Sequence, residues 1–388
     1  MEDLYANYKK HISEMCTGYH SYHTASPGER ARADYFEKTM KKYGYKVRRE
    51  EYKVRGWDFK YFSFCDVTAG KEVPFAACQY FSSSIDFEGE LFVITHEMIA
   101  DIENIEVKDK VLFVIDNRLG ISDLCDLIER LEERGCLGAV FANFPSATGY
   151  ASNKYCRSPY IKKIAVAAVG PAGALYVAAN IKHTFRLKIE ATPYDTVTDN
   201  VIGYVEGDEK KIVFGGHYDS SPLTEGAGDD VSGTAMVLEM ARLLKDKNCG
   251  HTIEFVAFSA EEYCEKAPAH GAKGSNAYME RHNGENIVCM INFDDCCFSE
   301  LFSKAELCVG HKEKLPEINW PMETNPECLC GDDVAFHDCG YPTVWIVARK
   351  TIPVLHTVCD SIDMIDFDAM VEVTKKYYDI STQIIMLS

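Results

Sequence analysis

Ile212-Val213-Phe214-Gly215-Gly216-His217-Tyr218-Asp219 is the stretch from which the fold is read. A short run of apolar and small residues ends abruptly in a histidine and an aspartate. This is the texture of a buried strand that delivers polar side chains to a loop. Working outward, Ser232–Lys245 reads as a helix and Thr252–Ala260 as a second apolar strand. Ser275–Arg281 is again helical, Asn286–Phe293 and Pro342–Ala348 are strands, and Asp366–Ile384 is a closing helix. Alternation at this spacing predicts an α/β fold, a mostly parallel mixed sheet sandwiched by helices. In such sheets ligands collect beyond the carboxyl ends of the strands.

Upstream, Gly28–Tyr43 places Ala33, Phe36 and Met40 at helical spacing and stops at Gly44, and Tyr45–Tyr52 alternates like a strand. From about residue 58 to 191 the texture changes. Strand-like runs at Glu90–Ile94 and Val111–Ile115 flank a helical stretch at Leu124–Arg134, then Gly138-Ala139-Val140 and an Ala/Gly-rich helix near Ala172–Asn180. The expected organisation is one domain from 1–57 and 192–388, with a smaller α/β domain at 58–191 inserted into it. No repeat of fixed period is evident.

The 388 residues carry 41 Lys plus Arg against 60 Asp plus Glu, so 41 − 60 gives a formal charge of −19. That balance argues against a nucleic acid or an anionic membrane as partner, because affinity for either comes mainly from Lys and Arg. The opening Met1-Glu2-Asp3-Leu4-Tyr5 has no apolar run behind a basic start. Ile164–Ala179, broken by Gly170, Pro171 and Gly173, is shorter than the ~18–20 residues of a spanning helix. A cytoplasmic protein with no membrane segment is the expectation. The 16 cysteines are accordingly expected as reduced, mostly buried thiols, with a Cys328–Cys330 redox pair as the alternative.

Every strong chemical signal follows one of the strands. In His217-Tyr218-Asp219, residues two apart face one side of an extended segment, so Asp219 is placed to take the second ring N–H of His217. Gly226-Ala227-Gly228-Asp229-Asp230-Val231-Ser232-Gly233 runs straight into a helix, and the bland reading of its acids is an N-cap. Ser259-Ala260-Glu261-Glu262 ends a strand in two carboxylates, of which one can bind a metal while its neighbour serves as general base. Ile291-Asn292-Phe293-Asp294 ends another strand in acid. Leu355-His356-Thr357-Val358-Cys359-Asp360 closes the set, with Asp360 placed to orient His356 or its loop. Each segment alone reads equally as a polar loop. Together, His217, Asp229, Glu262, Asp294 and His356 supply two imidazoles and three carboxylates, the donors for two divalent ions that share one carboxylate. Such ions activate a water and polarise a carbonyl. Imidazole and carboxylate without thiolate suit zinc, with cobalt or manganese as alternatives.

In order and in spacing these motifs resemble the dinuclear zinc aminopeptidase family, which also holds glutamate carboxypeptidases and glutaminyl cyclases. The resemblance covers about residues 192–388, with weaker similarity in the N-terminal helix and strand. It implies that His217 and Asp294 end-ligate one zinc, that Glu262 and His356 end-ligate the other, and that Asp229 bridges them. Glu261 matches the general base and Asp219 the carboxylate that orients the first histidine. Residues 58–191 resemble a protease-associated domain that covers or shapes the substrate cleft. Three departures stand out: Asp230 where the family often has Asn, Leu355 where many members carry a Tyr that stabilises the oxyanion, and a longer stretch from Tyr263 to Lys273.

The function these residues imply is an aminopeptidase acting on peptides. A carboxypeptidase or dipeptidase is the nearest alternative, with Arg349 and Lys350 as a clamp for the substrate carboxylate. A glutaminyl cyclase on the same scaffold, typically with one zinc, is a second alternative. A non-catalytic peptide-binding homologue is a third, disfavoured because the ligand set and Glu261 are all present. Side-chain preference and oligomeric state are not legible at this level.

Overall fold

The computed structural model describes residues 3–116, 121–142, 163–247, 250–263, 272–297, 305–326, 329–348 and 354–388. Arg349, Lys350, Cys328 and most of the Tyr263–Lys273 stretch lie outside the described residues. The chain opens with α1 (Leu4–Met15) and α2 (Pro27–Tyr43), followed by β1 (Lys46–Asp66), β2 (Lys71–Glu72), β3 (Ala76–Cys78), β4 (Ile85–Gly89) and β5 (Phe92–Thr95). Then come α3 (His96–Ile99), β6 (Val111–Ile115), α4 (Ile121–Glu133), β7 (Gly138–Ala142), β8 (Ala165–Val169), α5 (Pro171–Ala179) and β9 (Phe185–Val205). The remainder alternates: β10 (Lys210–His217), α6 (Ser232–Leu244), β11 (Thr252–Phe258), α7 (Lys273–His282), β12 (Asn286–Asn292), β13 (Ala305–Gly310), β14 (Thr324–Asn325), α8 (Asp333–Asp338), β15 (Thr343–Ala348) and α9 (Phe367–Leu387).

Two sheets result. The larger has the order β14-β13-β15-β12-β10-β11-β9-β1-β2, with β4 joined to β9. Its centre, β11-β10-β12-β15, is parallel, and the flanks at β9, β1 and β13 turn antiparallel. The mixed α/β sheet read from the sequence is therefore the observed one. The smaller sheet, β3-β8-β7-β6-β5, is parallel except at its β3 edge.

Burial explains why the central strands read so clearly. Ile212, Val213 and Phe214 are all fully buried, as are Val256 to Phe258 and Cys289 to Ile291, because helices cover both faces. On one face α1, α2, α6 and α9 pack their apolar sides against Phe214, Phe255 and Ile291. On the other, Tyr278 and Phe336 from α7 and α8 pack on Val213, Val256 and Phe258. Helix α2 starts where Ser26 accepts a hydrogen bond from the Glu29 amide (3.1 Å), and ends at Gly44 in the left-handed region, φ 92°.

The inserted boundaries expected at 57/58 and 191/192 fall inside β1 and β9. These two strands pair antiparallel along their length, from Lys46–Tyr204 at one end to Asp66–Phe185 at the other, with one register shift between Phe59 and Tyr61. The ribbon thus belongs to the large sheet at one end and runs on beside the smaller sheet at the other. Among the described residues no helix is long and apolar enough to cross a membrane. The expectation of uniformly reduced thiols fails at one position: Cys308 is disulfide-bonded. Cys330, half of the alternative pair, is exposed, and its expected partner Cys328 lies outside the described residues.

Candidate metal centre

The parallel strands end together, and so do the acids that follow them. His217 is the last residue of β10, Glu261 and Glu262 lie just past β11, and Asp294 lies two residues past β12. Asp229 comes from the turn into α6, and His356 from the loop after β15. His217 Nε2 stands 3.1 Å from Asp229 Oδ1 and 3.9 Å from Asp294 Oδ1. His356 Nε2 stands 2.8 Å from both Asp229 Oδ2 and Glu262 Oε1. Two donor groups result, His217–Asp229–Asp294 and Asp229–Glu262–His356, each with ligand atoms within 4.8 Å of one another. Asp229 is common to both and turns one oxygen to each histidine. All five residues expected as ligands are thus brought to one place.

The donor set fits cations. His217 is 1% exposed, and its Nε2 is buried without a hydrogen bond among the described residues. An imidazole nitrogen left in that state costs free energy unless something accepts its lone pair or its proton. The electrostatics agree. Burial, reinforced by neighbouring acids, pushes Asp294, Asp295 and Asp230 well above the usual carboxylate range. Burial likewise raises Asp332 to about 7 and Glu261 to about 8, with Glu262, Asp332 and Asp229 adding to the burial of Glu261 while His217 opposes it. So many carboxylates in one buried place repel one another, and bound divalent ions are the natural counter-charge. Burial works against charge on His217, yet Asp219 and Asp229 raise its pKa well above the ordinary value.

Glu261 Oε2 sits 4.0 Å from His217 Nε2, at the rim of the cluster, and is more exposed than Asp229, Glu262 or Asp294, with 17% of its side chain accessible. Beneath it, Asp219 is fully buried. Its Oδ1 accepts the Glu261 amide (3.1 Å), its Oδ2 accepts the Glu262 amide (3.2 Å) and the Thr24 hydroxyl (3.0 Å), and His217 Nδ1 lies 3.4 Å from Oδ1. His217 Nδ1 is also hydrogen-bonded to the Asp219 carbonyl oxygen (3.2 Å), so Asp219 meets His217 through backbone as well as side chain and fixes the backbone of both glutamates.

The role expected for Asp360 changes. Its carboxylate accepts the amides of Gly228 (2.7 Å) and Asp229 (3.1 Å), so it orients the Asp229 turn rather than His356. Asp230 accepts the amides of His217 (3.2 Å) and Gly233 (2.8 Å), joining the end of β10 to the start of α6. An aspartate does here what a neutral amide oxygen would also do, with an added buried charge. Sequence reasoning missed Ser221, whose hydroxyl donates to Glu262 Oε1 at 2.8 Å. It also missed Asp332, 1% exposed beside the cluster. The signal for Asp332 was Gly331-Asp332-Asp333 ahead of a short helix, the same texture as Gly228-Asp229-Asp230.

The model of Peptidase family M28 matches residues 200–380, the stretch that carries every one of these side chains. The chain is 29% identical over 202 residues to aminopeptidase YwaD of Bacillus subtilis, covering 46% of this chain and 43% of that protein. It is 29% identical over 257 residues to a probable leucine aminopeptidase of Arthroderma benhamiae, covering 58% and 65%. The matches thus span about half to two thirds of the length of these relatives. The likeness in fold extends over the whole chain: BSAP, a zinc aminopeptidase from Bacillus subtilis, superposes with TM-score 0.77 over 98% of this chain and 95% of its own, at 19% identity.

Proposed function

We propose that this protein is a member of peptidase family M28 and a metal-dependent aminopeptidase that removes N-terminal residues from peptides, with two zinc ions held by His217, Asp229, Glu262, Asp294 and His356. The observation that carries the reading is the pair of donor groups joined through Asp229. Relatives named as aminopeptidases, one structural neighbour among them named a zinc enzyme, support the choice of activity and metal. When bound, zinc would polarise the scissile carbonyl and lower the pKa of a water.

The chain's own groups do the rest. Glu261, at the rim and free of the two donor groups, takes a proton from the attacking water and returns it to the leaving amine. Burial that pushes Glu261 to about 8 suits it to hold that proton between the two transfers. Asp219 keeps the backbone of the Glu261–Glu262 turn in place. Leu355 offers no hydrogen bond to the oxyanion, so this chain relies on charge at the donor groups for that stabilisation.

The test is release of chromophore from a panel of aminoacyl anilides with zinc, cobalt or manganese, N-acylated substrates serving as controls. Turnover of free but not blocked substrates is the expected result. Silence across the panel, or equal turnover of blocked peptides, overturns the reading.

A further inference from the structure

Behind the catalytic turn lies a carboxylate that none of the site motifs contains. Glu29 is in the first turn of α2 and is 1% exposed. Its first task is ordinary: Ser26 accepts the Glu29 amide, and Glu29 Oε2 in return accepts the Ala25 amide at 2.6 Å, much as in a capping box. A capping glutamate normally faces water. This one is sealed in, and both of its oxygens also accept the hydroxyl of Thr198 on β9 at 3.1 Å. Oε1 takes in addition a short hydrogen bond from the hydroxyl of Ser259.

The two segments that Glu29 joins meet again at Asp219. From Ala25, which has a left-handed φ of 62°, the chain steps back to Thr24, whose hydroxyl donates to Asp219 Oδ2. From Ser259 it steps forward through Ala260, also left-handed at φ 56°, to Glu261 and Glu262, whose amides donate to the same aspartate. Non-glycine residues hold such conformations only where their surroundings impose them. Each of the two lies next to, or at, a group that Glu29 holds. The loop Glu29–Ala25–Thr24–Asp219–Glu261–Ser259–Glu29 is thus closed by hydrogen bonds and a few peptide units.

We infer that Glu29 is a positioning residue for Glu261: through Ser259 and Ala25 it sets the height of the Glu261–Glu262 turn above Asp219. The inference rests on the aminopeptidase reading for its kinetic consequence, but not for its structural one. Glu29→Ala removes every link, whereas Glu29→Gln keeps them, its carbonyl accepting Ala25 and its amide group donating to the two hydroxyls. Ser259→Ala removes the side-chain tie between the turn and Glu29 while leaving the helix cap intact, and serves if Glu29→Ala does not fold.

Three readings are taken on purified, zinc-loaded full chain: metal content, anilide kinetics, and hydrogen exchange of the Ser259–Tyr263 amides. Glu29→Ala and Ser259→Ala are expected to keep their metal and a KM within about threefold, while kcat falls on the order of 10²-fold, the usual result of a displacement near 1 Å. Exchange in the turn is expected to rise roughly tenfold with β13 unchanged. Glu29→Gln should recover most of both. If wild-type protein hydrolyses no anilide, the functional reading fails and the exchange measurement alone decides this one. Unchanged exchange in both truncated variants overturns the inference. So does a kcat loss that merely follows lost metal or folded fraction, or a Gln variant as impaired as the Ala variant.

Discussion

Glu261 and Glu262 are neighbours in sequence with opposite environments. Glu262 is 1% exposed, bonded by Ser221 and 2.8 Å from His356, whereas Glu261 reaches the rim and joins neither donor group. Replacing Glu261 with Gln keeps size and removes the ability to take a proton. On the proposed mechanism turnover is expected to fall about 10²–10⁴-fold, the range for losing a general base, with the metal content of the wild type retained by elemental analysis. Glu262→Gln should instead lose metal at the His356 side, because a carboxamide is a poorer donor. Residues of this kind were legible because each sits next to its own strand end. The partner of Asp360, and Glu29 altogether, were not, since Gly228 and Ser259 are more than a hundred residues away from them and no local pattern reports such a pairing.

At the scale of elements, the central strands announced themselves by being buried on both faces. Strand β9 did not. Its ends pair with β4 and β11 on one side, but between residues 190 and 200 β1 is its only strand neighbour among the described residues. That stretch is half exposed, carries no clean alternation, and tolerates Pro193 on its open edge, so it reads as a linker. Strand β13, next to the short edge strand β14, was missed too, its antiparallel return breaking the strand–helix rhythm. Between helices, Glu239 on α6 binds Asn7 (3.0 Å) and His11 (3.3 Å) on α1 and also Arg242 (2.9 Å). Burial opposes its charge, but His11, Arg242 and Asn7 hold its pKa near about 2, against an ordinary 4.5. A folded pKa below the unfolded one adds stability above pH 4.5, lost as pH falls toward 2. Glu239→Gln is expected to cost on the order of 3 kcal/mol at pH 7 and to flatten the acid limb of stability in a urea–pH series.

For the whole molecule, the proposed metal centre predicts that stability depends on metal. Cations that bind only the folded chain raise its melting temperature, and chelation should lower it, with recovery on adding zinc. The metal-free protein has a further signature. Burial raises Asp332 to about 7 and Asp360 to about 8, both above their unfolded value of 3.8. The folded state then binds more protons than the unfolded state between pH 4 and 8, so stability falls as pH rises through that window. Melting scans of chelated protein at pH 6 and pH 8 should show the lower temperature at pH 8, and the gap should shrink once zinc is restored. The net charge of −19 gave no hint of this, because the few acids responsible are identified by burial and position, not by number.

The ribbon of β1 and β9 also decides how the two sheets can move. Joined by two loose linkers, a smaller unit would swing freely; joined by two paired strands of 21 residues each, it behaves as the end of a beam. Any swing must stretch ladder hydrogen bonds, except where the ladder is already interrupted. That interruption is the shift between Phe59 and Tyr61, where an extra residue bends and twists the strand. Flexing of one sheet against the other is therefore confined to a single joint, and its axis is fixed by the direction of the ribbon.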